Sequence, residues 1–142
     1  MFFSKATSIG LKALIAMSRS NPDEYFSVTE LSQAIGCSKT YLNKVLHTLV
    51  EKGYLKSKTG PNAGYAFIKK PSEINMYEIV EALNNPDYIT NCFFGLGDCS
   101  DENPCPLHDT YKKFRQDLLK KLSKMSLIDG AKQGWEDLTV PK

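Results

Sequence analysis

Apolar residues recur at helical spacing through the first third of the chain, and each run is closed by residues that cannot continue it. Ile9, Ala13, Ala16 and Met17 repeat at helical intervals between Ser4 and about Ser20, and Leu11, Leu14 and Ile15 widen that face. Asn21-Pro22-Asp23 ends the run. A second helix is predicted from Ser27, where Ser27-x-x-Glu30 has the spacing of a capping box; it carries Leu31, Ala34 and Ile35 and stops at Gly36. Ser38 is suited to cap a third helix with Tyr41, Leu42, Val45, Leu46, Leu49 and Val50 as its core stripe. Gly53 ends it where a left-handed residue is needed.

The period then changes. Tyr54–Lys58 and Tyr65–Lys69 are short strand candidates, and the Thr59-Gly60-Pro61-Asn62-Ala63-Gly64 between them has turn chemistry. Asn75-x-x-Glu78 repeats the capping pattern and opens a helix through about Leu83. Asn84 to Pro106 has no periodicity, and a segment of that length in a small domain is functional or disordered. Asp109 to Ser126 reads as helix again, with Phe114, Leu118, Leu122 and Met125 on one stripe and lysines opposite. Ser126-Leu127-Ile128-Asp129 restarts a last helix, and the end beyond Trp135 is expected to fray.

Two short helices around Gly36-Cys37, followed by a hairpin, give the order of a winged helix-turn-helix. The expected fold is therefore mainly α with a small β-hairpin, and the second helix of the motif is the one that enters the major groove. Its core stripe leaves Lys39, Thr40, Asn43, Lys44 and His47 on the open side. Thr40 and Asn43 suit base edges. Ser38 and Tyr41 flank them on the same helix. Lys39, Lys44 and the wing lysines Lys56 and Lys58 suit phosphates, and the wing tip, Thr59, Gly60, Pro61 and Asn62, is small enough to lie along a groove wall. The bland alternative is a small helical domain whose lysines are merely solvated.

Charge agrees with that direction. Of the 142 residues, 1–75 hold ten Lys and Arg against five Asp and Glu, while 76–142 hold eight against eleven. A basic front half suits phosphate. No apolar run approaches a membrane span and no secretory signal is evident, so the thiols are expected to meet a reducing cytoplasm. There, metal binding or catalysis is the ordinary use of clustered cysteines.

Cys92, Cys99, Cys105 and His108 fall within seventeen residues of a Gly-, Asp-, Asn- and Pro-rich segment. Thiolates are the ligands of iron–sulfur clusters, and three Cys with one His equally suit tetrahedral zinc. An unmetallated thiol switch is the third reading. His108 is either a ligand or a solvent-facing helix cap, and Gly95 and Gly97 let the loop turn around the ligands. Cys37, alone in the helix turn, reads as a small buried apolar residue.

With those residues in view, the chain resembles the iron–sulfur-associated winged-helix repressors typified by IscR and NsrR. The resemblance runs through Leu14-Ile15-Ala16-Met17, Ile35 to Leu42, the wing Lys58 to Tyr65, the three cysteines and Ser126-Leu127-Ile128-Asp129. It implies a homodimer whose long helices, Asp109 to Ser126, cross near the clusters. It also implies a near-palindromic double-stranded operator. His108 matches the histidine ligand of IscR-like members, which hold a 2Fe–2S cluster. NsrR-like members take an Asp from the partner's first helix, and the matching position here is Ser8, which weighs against a 4Fe–4S nitric-oxide sensor. Asp98, Asp101, Glu102 and Asp109 are the substitute ligands.

Three departures stand out: Thr59 replaces a common wing Arg, Ala63 a glycine, and Asn43 the Glu by which IscR discriminates between site classes. The expected function is a DNA-binding repressor controlled by a cluster at Cys92, Cys99 and Cys105. The alternatives are a zinc-stabilised or thiol-redox DNA-binding protein. No nucleophile pair, phosphate-cradling loop or carboxylate pair supports an enzyme. The expected division is 1–75 for the DNA-binding head, 76–108 for the linking helix and cluster loop, and 109–142 for the dimerisation helix and tail.

Overall fold

The first helix, α1 (Lys5–Ser18), is apolar around most of its circumference, and the other elements pack on it. The computed structural model describes residues 3–21, 23–84, 90–98 and 100–132. Within them follow α2 (Val28–Ile35), α3 (Lys39–Glu51), β1 (Leu55–Lys58), β2 (Gly64–Phe67), a 3-10 turn at Pro71–Glu73, α4 (Met76–Leu83), α5 (His108–Lys124) and α6 (Leu127–Lys132). The mainly helical chain with one antiparallel hairpin agrees with the expected fold. Cys99 and the tail beyond Lys132, including Trp135, lie outside the described residues.

Local chemistry sets the boundaries. Ser4, Ser27 and Ser38 accept from the backbone N–H of Thr7, Glu30 and Tyr41, so each helix of the head begins on a serine cap. Gly36 and Gly53 close α2 and α3 with φ of 70° and 88°. The Asn75–Glu78 capping box forms in both directions. A reciprocal pair joins Ser126 and Asp129 at the start of α6. The first helix ends at Ser18, slightly before the Asn-Pro-Asp stop, and α5 begins at His108, one residue earlier than the periodicity predicts.

The core is a single cluster. Ala13, Leu14, Ala16 and Met17 of α1, Leu42, Leu46 and Leu49 of α3, Leu31 of α2, Ile79 of α4 and Leu127 of α6 are all shut off from solvent. Cys37 packs against this core but is only half-buried, less enclosed than the small buried residue that the sequence predicts.

The hairpin pairs Leu55 with Phe67 and Lys58 with Gly64. A third extended piece joins it where Phe26 N–H donates to the Tyr65 carbonyl at 2.8 Å and Tyr65 N–H returns to Phe26 at 2.9 Å. That approach needs a glycine at position 64, because a methyl there would collide with the Phe26 carbonyl oxygen. The Phe26 strand has nowhere to retreat, being hydrogen-bonded on that side. Gly64→Ala is expected to lower the unfolding free energy by roughly 1–3 kcal/mol, as overpacking against a fixed neighbour does. Urea denaturation checks it, and an unchanged midpoint would disprove the close approach.

Candidate nucleic-acid interface and metal centre

The open side of α3 carries the residues that the sequence assigns to DNA. Lys39, Thr40, Asn43 and Lys44 are exposed, together with Ser38, whose hydroxyl is also the helix cap. Tyr41 is half-buried, with the Lys5 ammonium 5.3 Å from its ring centre. His47 lies further along the same helix beside Glu51, at 3.6 Å.

The hairpin presents Lys58, Thr59, Gly60, Pro61 and Asn62 to solvent at its tip. Gly60 and Asn62 take positive φ, 82° and 62°, and Ala63 N–H closes the turn on the Gly60 carbonyl at 3.0 Å.

Two tyrosines join these pieces, and sequence reasoning assigned neither a role at the DNA face. Tyr65 of β2 donates its hydroxyl proton to Asn43 Oδ1 across the gap between wing and α3. Tyr25 lies beneath the wing, with the Lys56 and Lys58 ammonium groups 5.7 and 5.5 Å from its ring centre. Such cation–aromatic contacts at exposed sites contribute about 0.5–1 kcal/mol and hold long side chains in place. The wing's mixture of lysines and a preceding aromatic was the available signal; the Tyr65 contact leaves no sequence signature.

The cysteine loop is organised around Cys92. Asn91 bridges to Asp98, Cys92 N–H donates to the Gly97 carbonyl at 2.9 Å, and Gly95 N–H to the Cys92 carbonyl at 3.0 Å. Gly95 and Gly97 sit at φ of 72° and 103°, where other residues would be strained. This tight turn aims backbone donors at sulfur: Leu96 N–H reaches Cys92 Sγ at 3.3 Å. The Leu96 hydrogen bond, with those of Phe94 and Gly95 and the nearby Cys105 thiol, lowers the Cys92 pKa against a smaller opposing effect of burial.

Cys92, Cys105 and His108 line one cavity of about 230 Å³. Among the described residues these side chains do not converge into a group of three placed to hold a metal ion. Two thiols and an imidazole bordering one cavity are the donor types that suit an iron–sulfur cluster, and equally zinc.

His108 is the first residue of α5 and only 5% exposed, so it is not the solvent-facing cap that the sequence left open. Its Nε2 lies 2.7 Å from Asp101 Oδ1, and Lys112 Nζ reaches the same carboxylate at 3.1 Å. His108 and then Lys112 hold the Asp101 carboxyl below the usual carboxylate range. Of the other substitute ligands, Asp98 bonds the Thr90 hydroxyl at 3.0 Å and borders the cavity. Cys37 shows the opposite tendency to Cys92, its pKa raised by burial despite Lys5 and Lys12 nearby. Iodoacetamide titration of the reduced, metal-free protein is therefore expected to modify Cys92 at lower pH than Cys37. Peptide mapping reads the order, and the reverse order would discard the N–H cradle.

The family model for Rrf2, described as an iron-dependent transcriptional regulator, matches residues 3–133. The chain is 28% identical to a helix-turn-helix-type transcriptional regulator of Aquifex aeolicus over 134 residues, covering 91% of this chain and 92% of the relative. The structure is similar to CymR, the global cysteine regulator of B. subtilis, with a TM-score of 0.75 at 21% identity over 92% of this chain and 95% of that one. It is similar also to IscR of T. potens, with a TM-score of 0.71 at 18% identity over 93% of each. These structural likenesses establish the winged-helix fold. With the sequence match over almost its whole length, the chain belongs to the Rrf2 family of transcriptional regulators.

Proposed function

We propose that this protein is a repressor whose affinity for DNA is governed by an iron–sulfur cluster held by Cys92, Cys99, Cys105 and His108. The observation that carries this reading is the single cavity lined by Cys92, Cys105 and the buried His108, with backbone donors aimed at the Cys92 sulfur. The iron dependence in the family's description favours iron over zinc. An imidazole among the ligands favours a 2Fe–2S cluster over 4Fe–4S. When bound, the cluster supplies a redox-active group whose potential depends on its ligands and on hydrogen bonds to sulfur.

His108 is prepared for ligation by Asp101, since a carboxylate on one ring nitrogen fixes the orientation of the other, as it does for metal-bound histidines generally. The loop is tied to both neighbours. Arg115 of α5 donates to the Asn91 carbonyl at 3.4 Å. Asn84, where the loop begins, accepts through Oδ1 from Ser4 N–H at 2.7 Å and from the Thr7 hydroxyl at 3.1 Å. Both partners belong to the first turn of α1 or its cap, and α1 packs directly on α3. A rearrangement of the loop thus bears on the seating of the DNA-reading helix, which is the physical requirement for a ligand-biased equilibrium in DNA affinity.

The same reading divides the chain into a DNA-binding head (1–75), a link and cluster loop (76–108) and a dimerisation segment (109–142). Phe93, Phe94 and Phe114 are exposed by 59, 51 and 53%, and with Tyr111 they form a chain of ring contacts beside α5. An apolar surface of that kind supports pairing of two copies. Two copies would set two α3 helices on half-sites of a near-palindromic operator, about one helical turn apart. Lys39, Lys44 and Lys58 contact phosphate, and Thr40 and Asn43 face base edges.

Anaerobic purification with iron and sulfide analysis tests the centre. Cys105→Ala is expected to remove the visible absorption and leave the far-ultraviolet circular dichroism intact. A persistent chromophore would reject the ligand set, and a colourless protein with stoichiometric zinc would replace the cluster by a zinc site. Lys58→Ala should weaken binding on every sequence and reduce the slope of log affinity against log salt by about one. A loss confined to one sequence would contradict the phosphate role.

A further inference from the structure

Asn43 is the exposed residue of α3 best shaped to read a base, and its amide is not free to turn. The Tyr65 hydroxyl donates to Asn43 Oδ1 and lies 3.4 Å from the Asn43 carbonyl oxygen, so the phenol sits over one residue's acceptors. The phenol itself is fixed. Tyr65 is 5% exposed, its backbone N–H and carbonyl are both bonded to Phe26, and Gly64 brings that backbone close. Burial raises the Tyr65 pKa, which keeps the hydroxyl protonated and able to donate. Among the described residues, the Asn43 amide nitrogen has no hydrogen-bond partner.

An unconstrained Asn offers DNA a donor and an acceptor together, the pairing that matches adenine through N6 and N7. With Oδ1 held by Tyr65, the NH2 group is the end left for DNA. We propose that Tyr65 is a specificity-determining positioning residue: it turns the Asn43 amide so that the head reads a base-edge acceptor and rejects cytosine, whose N4 is a donor. The inference rests on the DNA-reading role proposed for α3 and adds what that helix selects.

Selection of the full-length protein against a randomised duplex library, followed by sequencing, tests it with three variants. The native protein is expected to disfavour cytosine, by about tenfold, at the position whose preference Asn43→Ala erases. Tyr65→Phe keeps the ring and frees the amide, so that same position should shift toward adenine while affinity for random duplex stays unchanged. Asn43→Asp leaves only acceptors to face outward, and should reverse the preference to cytosine. A thermal melt of Tyr65→Phe accompanies the selection, and Asn43→Asp keeps the test decisive if that variant is unstable.

A base preference lost in Asn43→Ala but unaltered in Tyr65→Phe would overturn the positioning role and leave the DNA-reading helix standing. A native preference for cytosine, or no reversal in Asn43→Asp, would overturn the stated orientation. If Asn43→Ala changes no position, base reading by Asn43 and this inference fall together. If the native protein selects no sequence, the proposed regulator itself fails.

Discussion

The burial of α1 on nearly all sides is the constraint from which the rest of the arrangement follows. An isolated helix with Ala13, Leu14, Ile15, Ala16 and Met17 in succession has no stable solvent face, so neighbours must enclose it. The enclosing elements are α2 and α3 from the head and α4 and α6 from the later chain. Close approach depends on small residues: Gly10 faces Leu83 and Val45, and Gly130 of α6 faces Met76 and Ile15. Each large side chain buried this way contributes about 1.5–3 kcal/mol, more than any single surface ion pair in the molecule can. The α3 helix and the linking helix α4 are consequently built around the same strut.

The two ends of that strut are fastened by polar contacts of different quality. At its C-terminal end Arg19 Nε donates to the Ala131 carbonyl of α6 at 3.0 Å. At its N-terminal end Ser4 and Thr7 both donate to Asn84 Oδ1, while Asn84 Nδ2 is buried with no partner among the described residues. A buried donor left unpaired costs on the order of 1–3 kcal/mol. The fastening at the N-terminal end therefore carries an energetic penalty.

The elements were legible in the sequence because they rest on local rules. Serine caps, helical periodicity and the glycines at 36 and 53 place α1, α2 and α3 within a residue or two. The Asn75–Glu78 box fixes the start of α4. The exposed set on α3 follows from the same periodicity, since four buried leucine and valine positions leave only one open side. The site was less legible where it depends on pairings between distant segments. The contact of Asp101 with the His108 ring comes from the loop folding back on the start of α5, and no spacing between positions 101 and 108 encodes it. Tyr65 meets Asn43 only because the hairpin register, through Gly64 and Phe26, brings β2 alongside α3. Neither partner's identity announces the other.

That register gives the head a property which separate contacts would not have. Phosphate contacts fix where a protein sits on a duplex, whereas base contacts decide which duplex it prefers. Here the side chains proposed for the two tasks are held by one short piece of backbone. Tyr25 steadies Lys56 and Lys58, while the adjacent Phe26 bonds Tyr65, whose hydroxyl holds Asn43. A displacement of the wing therefore cannot move its lysines without also disturbing the amide on α3.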